Sequence, residues 1–175
     1  STKTRIGLTD LSVAFVAGSD TVASLTAGTG FLSVTSAGLA GQISGTVALN
    51  IPTIDFIGTF SLQINNTNAP VNEQFTVGSD TINVNLPAGP YLKLAATGAR
   101  LVIGGQRIAG DFAFEHNAGT TRITAANVSI ALGDGTTNFV TVTNGAGNLT
   151  ISGSGVNKAV SATLSGTVNV TVPGL

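Results

Sequence analysis

The single histidine of the chain, His116, follows directly on Glu115 in the stretch "DFAFEHN". A histidine beside a carboxylate is a pairing that proton-transfer chemistry uses. Along an extended strand, however, neighbouring side chains point to opposite sides. If "DFAFE" continues as a strand to His116, the two groups part, and a turn histidine is the simpler reading. Asp111 and Glu115 do share a side, but four strand steps hold them about 13 Å apart. That exceeds either carboxylate spacing used in glycoside hydrolysis. Ser and Thr abound, yet none has an evident base to activate it. No catalytic residue is assigned, and the chain is expected not to be an enzyme.

Three Asp-bearing turns could supply oxygen to a cation. "GSDT" stands at 18–21 and again at 78–81, and "GDGT" at 133–136, placing Asp20, Asp80 and Asp134 in related loops. Calcium takes six to eight oxygen ligands, whereas each turn has one carboxylate and no second one nearby in sequence. An Asp that bonds its own backbone in a tight turn accounts for the same letters, so no metal ligand and no cofactor are expected. Asn65, Asn127, Asn148 and Asn169 each begin an Asn-x-Ser/Thr triplet, the form of a glycosylation acceptor. In a chain this rich in Asn, Ser and Thr, such triplets arise by chance. Glycine pairs such as that in "GGQR" precede no helix whose N-terminus could hold a phosphate. Lys93, Arg100, Arg107 and Arg122 are interleaved with Asp111 and Glu115 and read as solvated surface.

Composition narrows the classes further. Apolar residues make up 42 % of the chain and aromatics 5 %, so a core must be built from Val, Ile, Leu, Ala and Phe. Charged residues are 9 %, against roughly 25 % in an ordinary soluble domain, which leaves Thr, Ser, Asn and Gly to meet water. A net charge of −1 offers no attraction to phosphate or anionic lipid. Nucleic acid is therefore not an expected partner. Membrane insertion is not expected either, since no apolar run approaches the roughly 20 residues of a helical span. The absence of Cys excludes disulfides and thiolate metal sites and leaves the redox compartment open. The chain begins with neither Met nor the apolar core of a signal peptide, which suggests a piece of something longer.

The chain repeats itself. "SGTVALNIP" at 44–52 returns as "SGTVNVTVP" at 165–173, and the segment from Thr4 lies over that from Thr121 at an offset of about 117 residues without a gap. Leu11 meets Val128, Val13 meets Ile130 and Leu32 meets Leu149, while polar positions drift. Between these copies "TFSLQIN", "GSDTINVNL", "PYLKLAATG" and "AGDFAFE" read as a third, diverged copy. Three β units are expected, at 1–56, 57–124 and 125–175, the middle one longer, forming part of a longer repeat array.

Apolar residues alternate with polar ones at a period of two, as in "TFSLQIN" and "TINVNLP", with turn signals between the runs. No segment has the length and periodicity of a helix. The expectation is an all-β chain of short antiparallel strands. It is read as an elongated stacked-repeat rod of β-solenoid kind, or alternatively as β-sandwich or barrel modules. Phe60, Leu62, Phe112 and Phe114 are expected to point inward.

The succession "GAGNLTISGSGV…SGTVNVTVPG", low in charge, free of Cys and rich in Thr, Asn and Gly, resembles the tandem-repeat modules of very large bacterial surface proteins of adhesin type. The resemblance implies an extracellular or cell-surface location and a structural role, as a stalk, spacer or self-packing module whose partners are neighbouring copies of itself. The alternative is an adhesion module recognising a glycan or an ordered surface through rows of Thr and Asn. A regular Thr ladder would favour it, but Thr141 and Thr143 are interleaved with other residues along their strand. For the Asp turns, EDTA or millimolar Ca²⁺ is expected to leave the melting curve unchanged. A shift of many degrees, abolished by Asp20→Ala or Asp80→Ala, would make them a cation site.

Overall fold

The computed structural model describes residues 3–153 and 157–171. The described chain is all-β, with antiparallel strands and no α-helix. Its strands are β1 (Thr4–Ala17), β2 (Asp20–Thr35), β3 (Gly38–Ile51), β4 (Ile54–Asn65), β5 (Val71–Val77), β6 (Asp80–Leu86), β7 (Tyr91–Ile103), β8 (Gln106–Asn117), β9 (Thr120–Gly133), β10 (Asn138–Ser152) and β11 (Ala159–Val170). Nine of them form one meandering sheet in the order β1-β2-β3-β4-β7-β8-β9-β10-β11, and β5 and β6 form a separate hairpin. The sheet is open and does not close into a barrel. Tight turns such as Gly104-Gly105, both at positive φ, join neighbouring strands as two-residue hairpin loops do.

The strands of the sheet run to 12–16 residues, longer than the short runs visible in the sequence. The reason is a set of β-bulges at mid-strand. Asp10, Ala27, Gly98, Asn127 and Asn144 have φ of 54, 51, 60, 54 and 53°. Each sits where the pairing register shifts. A bulge inserts one residue and so resets the alternation. Leu8 and Leu11, an odd number of residues apart, therefore point to the same side, where an unbroken strand would oppose them. What the pattern divides into two short strands is one strand with a bulge in it.

The ladders at the two ends of the sheet match pair for pair. Ile6↔Leu32 corresponds to Ile123↔Leu149, Leu11↔Gly28 to Val128↔Gly145, and Val13↔Leu25 to Ile130↔Val142. On the next seam Thr26↔Thr46 corresponds to Thr143↔Thr167, and Thr29↔Ser44 to Ala146↔Ser165. In the middle of the chain the arrangement differs. Three antiparallel steps separate β1 from β4, so "TFSLQIN" in β4 runs opposite to "DLSVAFV" in β1. The second "GSDT" caps the detached β5–β6 hairpin, whereas the first caps β1–β2. Residues 56 and 57 lie within β4, and 124 and 125 within β9.

The β5–β6 hairpin folds onto one corner of the sheet, over β1 to β4. There Ile82, Val84 and Leu86 pack with Phe31, Ala40 and Tyr91 into the buried core, flanked by Val71, Phe75 and Val77. Gly7 lies beneath the Phe75 ring and Val77, where a Cβ would collide with both side chains. The crossover into the hairpin is held by Asn65, which is fully buried. Its amide nitrogen donates to the carbonyls of Ala69 (2.9 Å) and Pro87 (2.7 Å), and its oxygen accepts from the Thr67 N–H and hydroxyl at 2.9 and 2.8 Å. Each buried polar group left without a partner costs roughly 1–3 kcal/mol. Asn65→Ala orphans groups at several of these positions and is expected to lower stability by at least about 2 kcal/mol. Urea unfolding measures this, and an unchanged midpoint would mean that the crossover is anchored elsewhere.

Candidate functional site

Residues paired directly across antiparallel strands share a face, so the ladders assign every strand residue to one side of the sheet. Arg5, Asp55, Lys93, Arg100, Arg107, Asp111, Glu115 and Arg122 all fall on one face. Asp10 sits in a bulge and Asp20 at a hairpin end. The opposite face carries Ile6, Leu32, Ile43, Leu62, Leu94, Phe114, Ile123, Leu149 and Leu164 in one half and Phe15, Leu49, Phe56, Leu101, Ile108, Ile130, Val142 and Val168 in the other. Among the described strands of the sheet the only Lys, Arg, Asp or Glu on it is Asp20, which pairs with Ala17 at the β1–β2 hairpin end and so lies at its rim. The bulges are what keep both halves in phase.

Among the described residues nothing packs over this apolar face. Phe60, Leu62, Phe112 and Phe114 share it, as their alternation requires. The expectation that they point into a core is corrected, since Leu62, Phe112 and Phe114 remain 37, 39 and 37 % exposed. The hairpin that could have covered them packs on the other side. Near the β1 end the face sinks into an apolar hollow of 380 Å³ between Ile6, Leu8, Leu32, Ile43 and Leu62. Contiguous exposed apolar surface on this scale marks an interaction site.

The structure disperses the residues whose types suggested chemistry. His116 lies inside β8, not in a turn, and points to the apolar side, where its Nδ1 is 2.9 Å from the Thr121 hydroxyl. Glu115 faces the other way, with Lys93 at 3.9 Å and Arg122 opposite it in the ladder. Asp111 clamps two bulges. It accepts the Gly98 N–H at 2.7 Å and the Asn127 side-chain amide at 2.7 Å, and these bonds hold its carboxyl below the usual carboxylate range. Asp134 is likewise held low by accepting the Thr137 and Thr136 N–H groups of its own turn. Burial and then the nearby Glu115 charge push the Tyr91 phenol up, and its hydroxyl donates to Gln63 at 3.1 Å. Among the described residues no three of His, Asp and Glu converge into a cluster able to hold a metal ion.

Of the Asn triplets, Asn65 has its amide nitrogen buried and doubly bonded, and Asn127 is occupied with Asp111. Arg100 pairs with Asp55 at 2.6 Å, and Lys3 and Arg5 with Glu73 of the hairpin. Reading along strands missed one feature, which runs across them. Thr26, Thr46, Thr59 and Thr97 are successive partners on the polar face, with the Thr46 and Thr59 hydroxyls 3.2 Å apart. Such a row needs the register, since its successive members, Thr26, Thr46, Thr59 and Thr97, lie on four different strands.

No protein-family model, no curated protein and no solved structure matches the chain. The site is therefore read from its own geometry.

The Asp111 clamp has a pH signature. A carboxyl whose folded pKa is depressed contributes stability that is present above its unfolded pKa and is lost as pH falls through the folded value. The melting temperature is expected to fall on acidification below the ordinary carboxylate range, and Asp111→Asn to flatten part of that fall. A variant whose melting temperature tracks the parent at every pH would show that the clamp contributes nothing.

Proposed function

We propose that the chain is a non-catalytic, self-packing structural module of an extracellular surface or filament protein, which covers its apolar face with the same face of another copy. The observation that carries this reading is the segregation of charge: apart from Asp20 at a hairpin end, the charged side chains on the strand faces lie on one side, and the other is a broad apolar surface with His116 and Thr121 only at its rim. A one-faced sheet must bury that face against another layer, and two such faces packed together make a β-sandwich interface. Nine strands about 4.8 Å apart and ~13 residues long at ~3.3 Å each give a face of roughly 1,700 Å². A stable interface needs about 800 Å² per partner. The matching ladders at the two ends of the sheet support a module that continues in kind. A lipid-facing role is less well supported, because transmembrane strands carry aromatic girdles, while this chain has no Trp and its one Tyr is buried in the core.

Sedimentation velocity tests the reading. The chain is expected to form dimers or larger assemblies, and the paired residues Leu94 and Phe114, both changed to Lys, to yield monomers with unchanged far-ultraviolet circular dichroism. A monomeric parent at high concentration would overturn the proposal, and stable recovery only with detergent or vesicles would replace it by a membrane reading.

A second reading is favoured by the threonine row: an adhesion module that meets a glycan or an ordered surface through Thr26, Thr46, Thr59 and Thr97. Hydroxyls repeating at the strand spacing of about 4.8 Å match a periodic partner. Binding to insoluble polysaccharides that is lost in Thr46→Val and Thr59→Val would select it.

A further inference from the structure

We propose that the free edge of β11 is a docking site for one particular kind of strand, an extended segment with the pattern of β4. This rests on the self-packing reading and specifies how one unit would join the next through the backbone. The argument begins with the register. β9, β10 and β11 reproduce the ladders of β1, β2 and β3 pair for pair. On its outer side β3 is paired with β4 along its length without a register shift, from Ala40↔Asn65 to Ile51↔Ile54. β11 stands in the position of β3, and among the described residues its outer side has no partner. It is exposed throughout, with Leu164, Val168 and Val170 at 90, 62 and 65 %.

The side chains specify the occupant. In the β3·β4 seam the large Phe60 sits opposite Gly45, and Gly58 sits opposite the large Val47. β11 carries the same alternation, with Gly166 in the place of Gly45 and Val168 in the place of Val47. The two glycines also make the same close approach. A Cβ on Gly45 would lie 3.3 Å from the Gly28 Cα, and one on Gly166 would lie 3.3 Å from the Gly145 Cα. A β4-type strand added antiparallel to β11 thus sets Phe60 against Gly166, Leu62 against Leu164, Ile64 against Ala162 and Thr59 against Thr167. The apolar face continues without a step, and the threonines form a further row on the polar face. The opposite edge of the sheet is not equally matched. Asp10 of β1 occupies the position of Asn127, whose amide donates to Asp111 of β8, so a β8-type strand there would bring two carboxylates together.

The backbone of β11 is ready to pair. The Thr171 N–H donates to Phe139 of β10 at 2.8 Å, and N–H groups alternate sides along a strand. Those of Val168 and Val170 therefore point outward. Proline is tolerated on an edge strand where its missing N–H would face solvent, so Val168→Pro removes one docking donor while leaving the bonds to β10.

The probe is a synthetic peptide of residues 54–65 with terminal lysines, titrated into the full chain and read by fluorescence anisotropy. Saturable one-to-one binding is expected. It should weaken by at least about tenfold, or about 1.4 kcal/mol, with Val168→Pro in the protein or with Phe60→Asp in the peptide, and vanish for a scrambled peptide. The thermal melt of Val168→Pro reports whether that variant folds, and the Phe60→Asp peptide tests the proposal on unaltered protein. Absence of binding overturns the proposal. So does binding that is indifferent to both changes yet lost when Leu94 and Phe114 become Lys, which would place the peptide on the apolar face. Peptide binding to a chain that does not self-associate would sink the face-to-face reading and leave the edge site standing; self-association without peptide binding would do the reverse.

Discussion

The phase of side-chain alternation governs this molecule. A strand of 14 residues, the length of β1 and β9, keeps its apolar residues on one side only if nothing interrupts the two-residue period. In five of the strands the period is interrupted in the sequence itself, and a left-handed residue at a bulge restores it. The physical cost is local. Ala27 holds a conformation that disfavours side chains bearing a Cβ, and the equivalent position in β10 is filled by Asn144, a residue more at ease there. The gain extends across the sheet, because bulges in neighbouring strands keep apolar residues above and below them facing the same way. Asp111 ties two of these bulges together, so its carboxylate serves the alternation.

From that phase relation follows the separation of charge. With so few charged residues, an even scatter would have left neither face dry. Instead the charged side chains of the strands lie with the Thr and Ser hydroxyls, and the second face is left to Val, Ile, Leu and Phe. The β5–β6 hairpin adds to the contrast. It spends its apolar residues on a small core on the polar side, with Asn65 and Glu73 satisfying the polar groups at the crossover and the rim, and it leaves the broad apolar face uncovered. A sheet built this way has its stability coupled to whatever covers it, since about 25 cal/mol is gained for each Å² of apolar surface removed from water. The proposed self-packing and edge pairing would be two routes to the same end, one acting through side chains and the other through the backbone of β11.

Much of this was legible in the residues. The period of two, the turn glycines and the absence of any helical pattern specified an all-β antiparallel chain, because those signals are local and act through the backbone of neighbouring residues. The recurrence of "SGTV" marks β3 and β11, whose ladders agree pair for pair. The alternation that sends Glu115 and His116 to opposite sides could also be read directly, although it was His116's place inside β8, not in a turn, that the structure added.

Tertiary structure decided the rest, and in each case the deciding contact joins residues distant in sequence. Strand length could not be read, because a bulge imitates a strand end until the partner's register is known. The threonine row is invisible along any strand, since it is assembled from β2, β3, β4 and β7. The middle segment matches its neighbours in letters, yet its "GSDT" hairpin leaves the sheet and packs under Phe31 and Tyr91, a choice made by Gly7 and by the buried amide of Asn65. Above all, alternation tells that Phe112 and Phe114 share a face, as Phe60 and Leu62 do, but not whether anything lies against it. Burial belongs to the space between elements, and no pattern within a strand determines it.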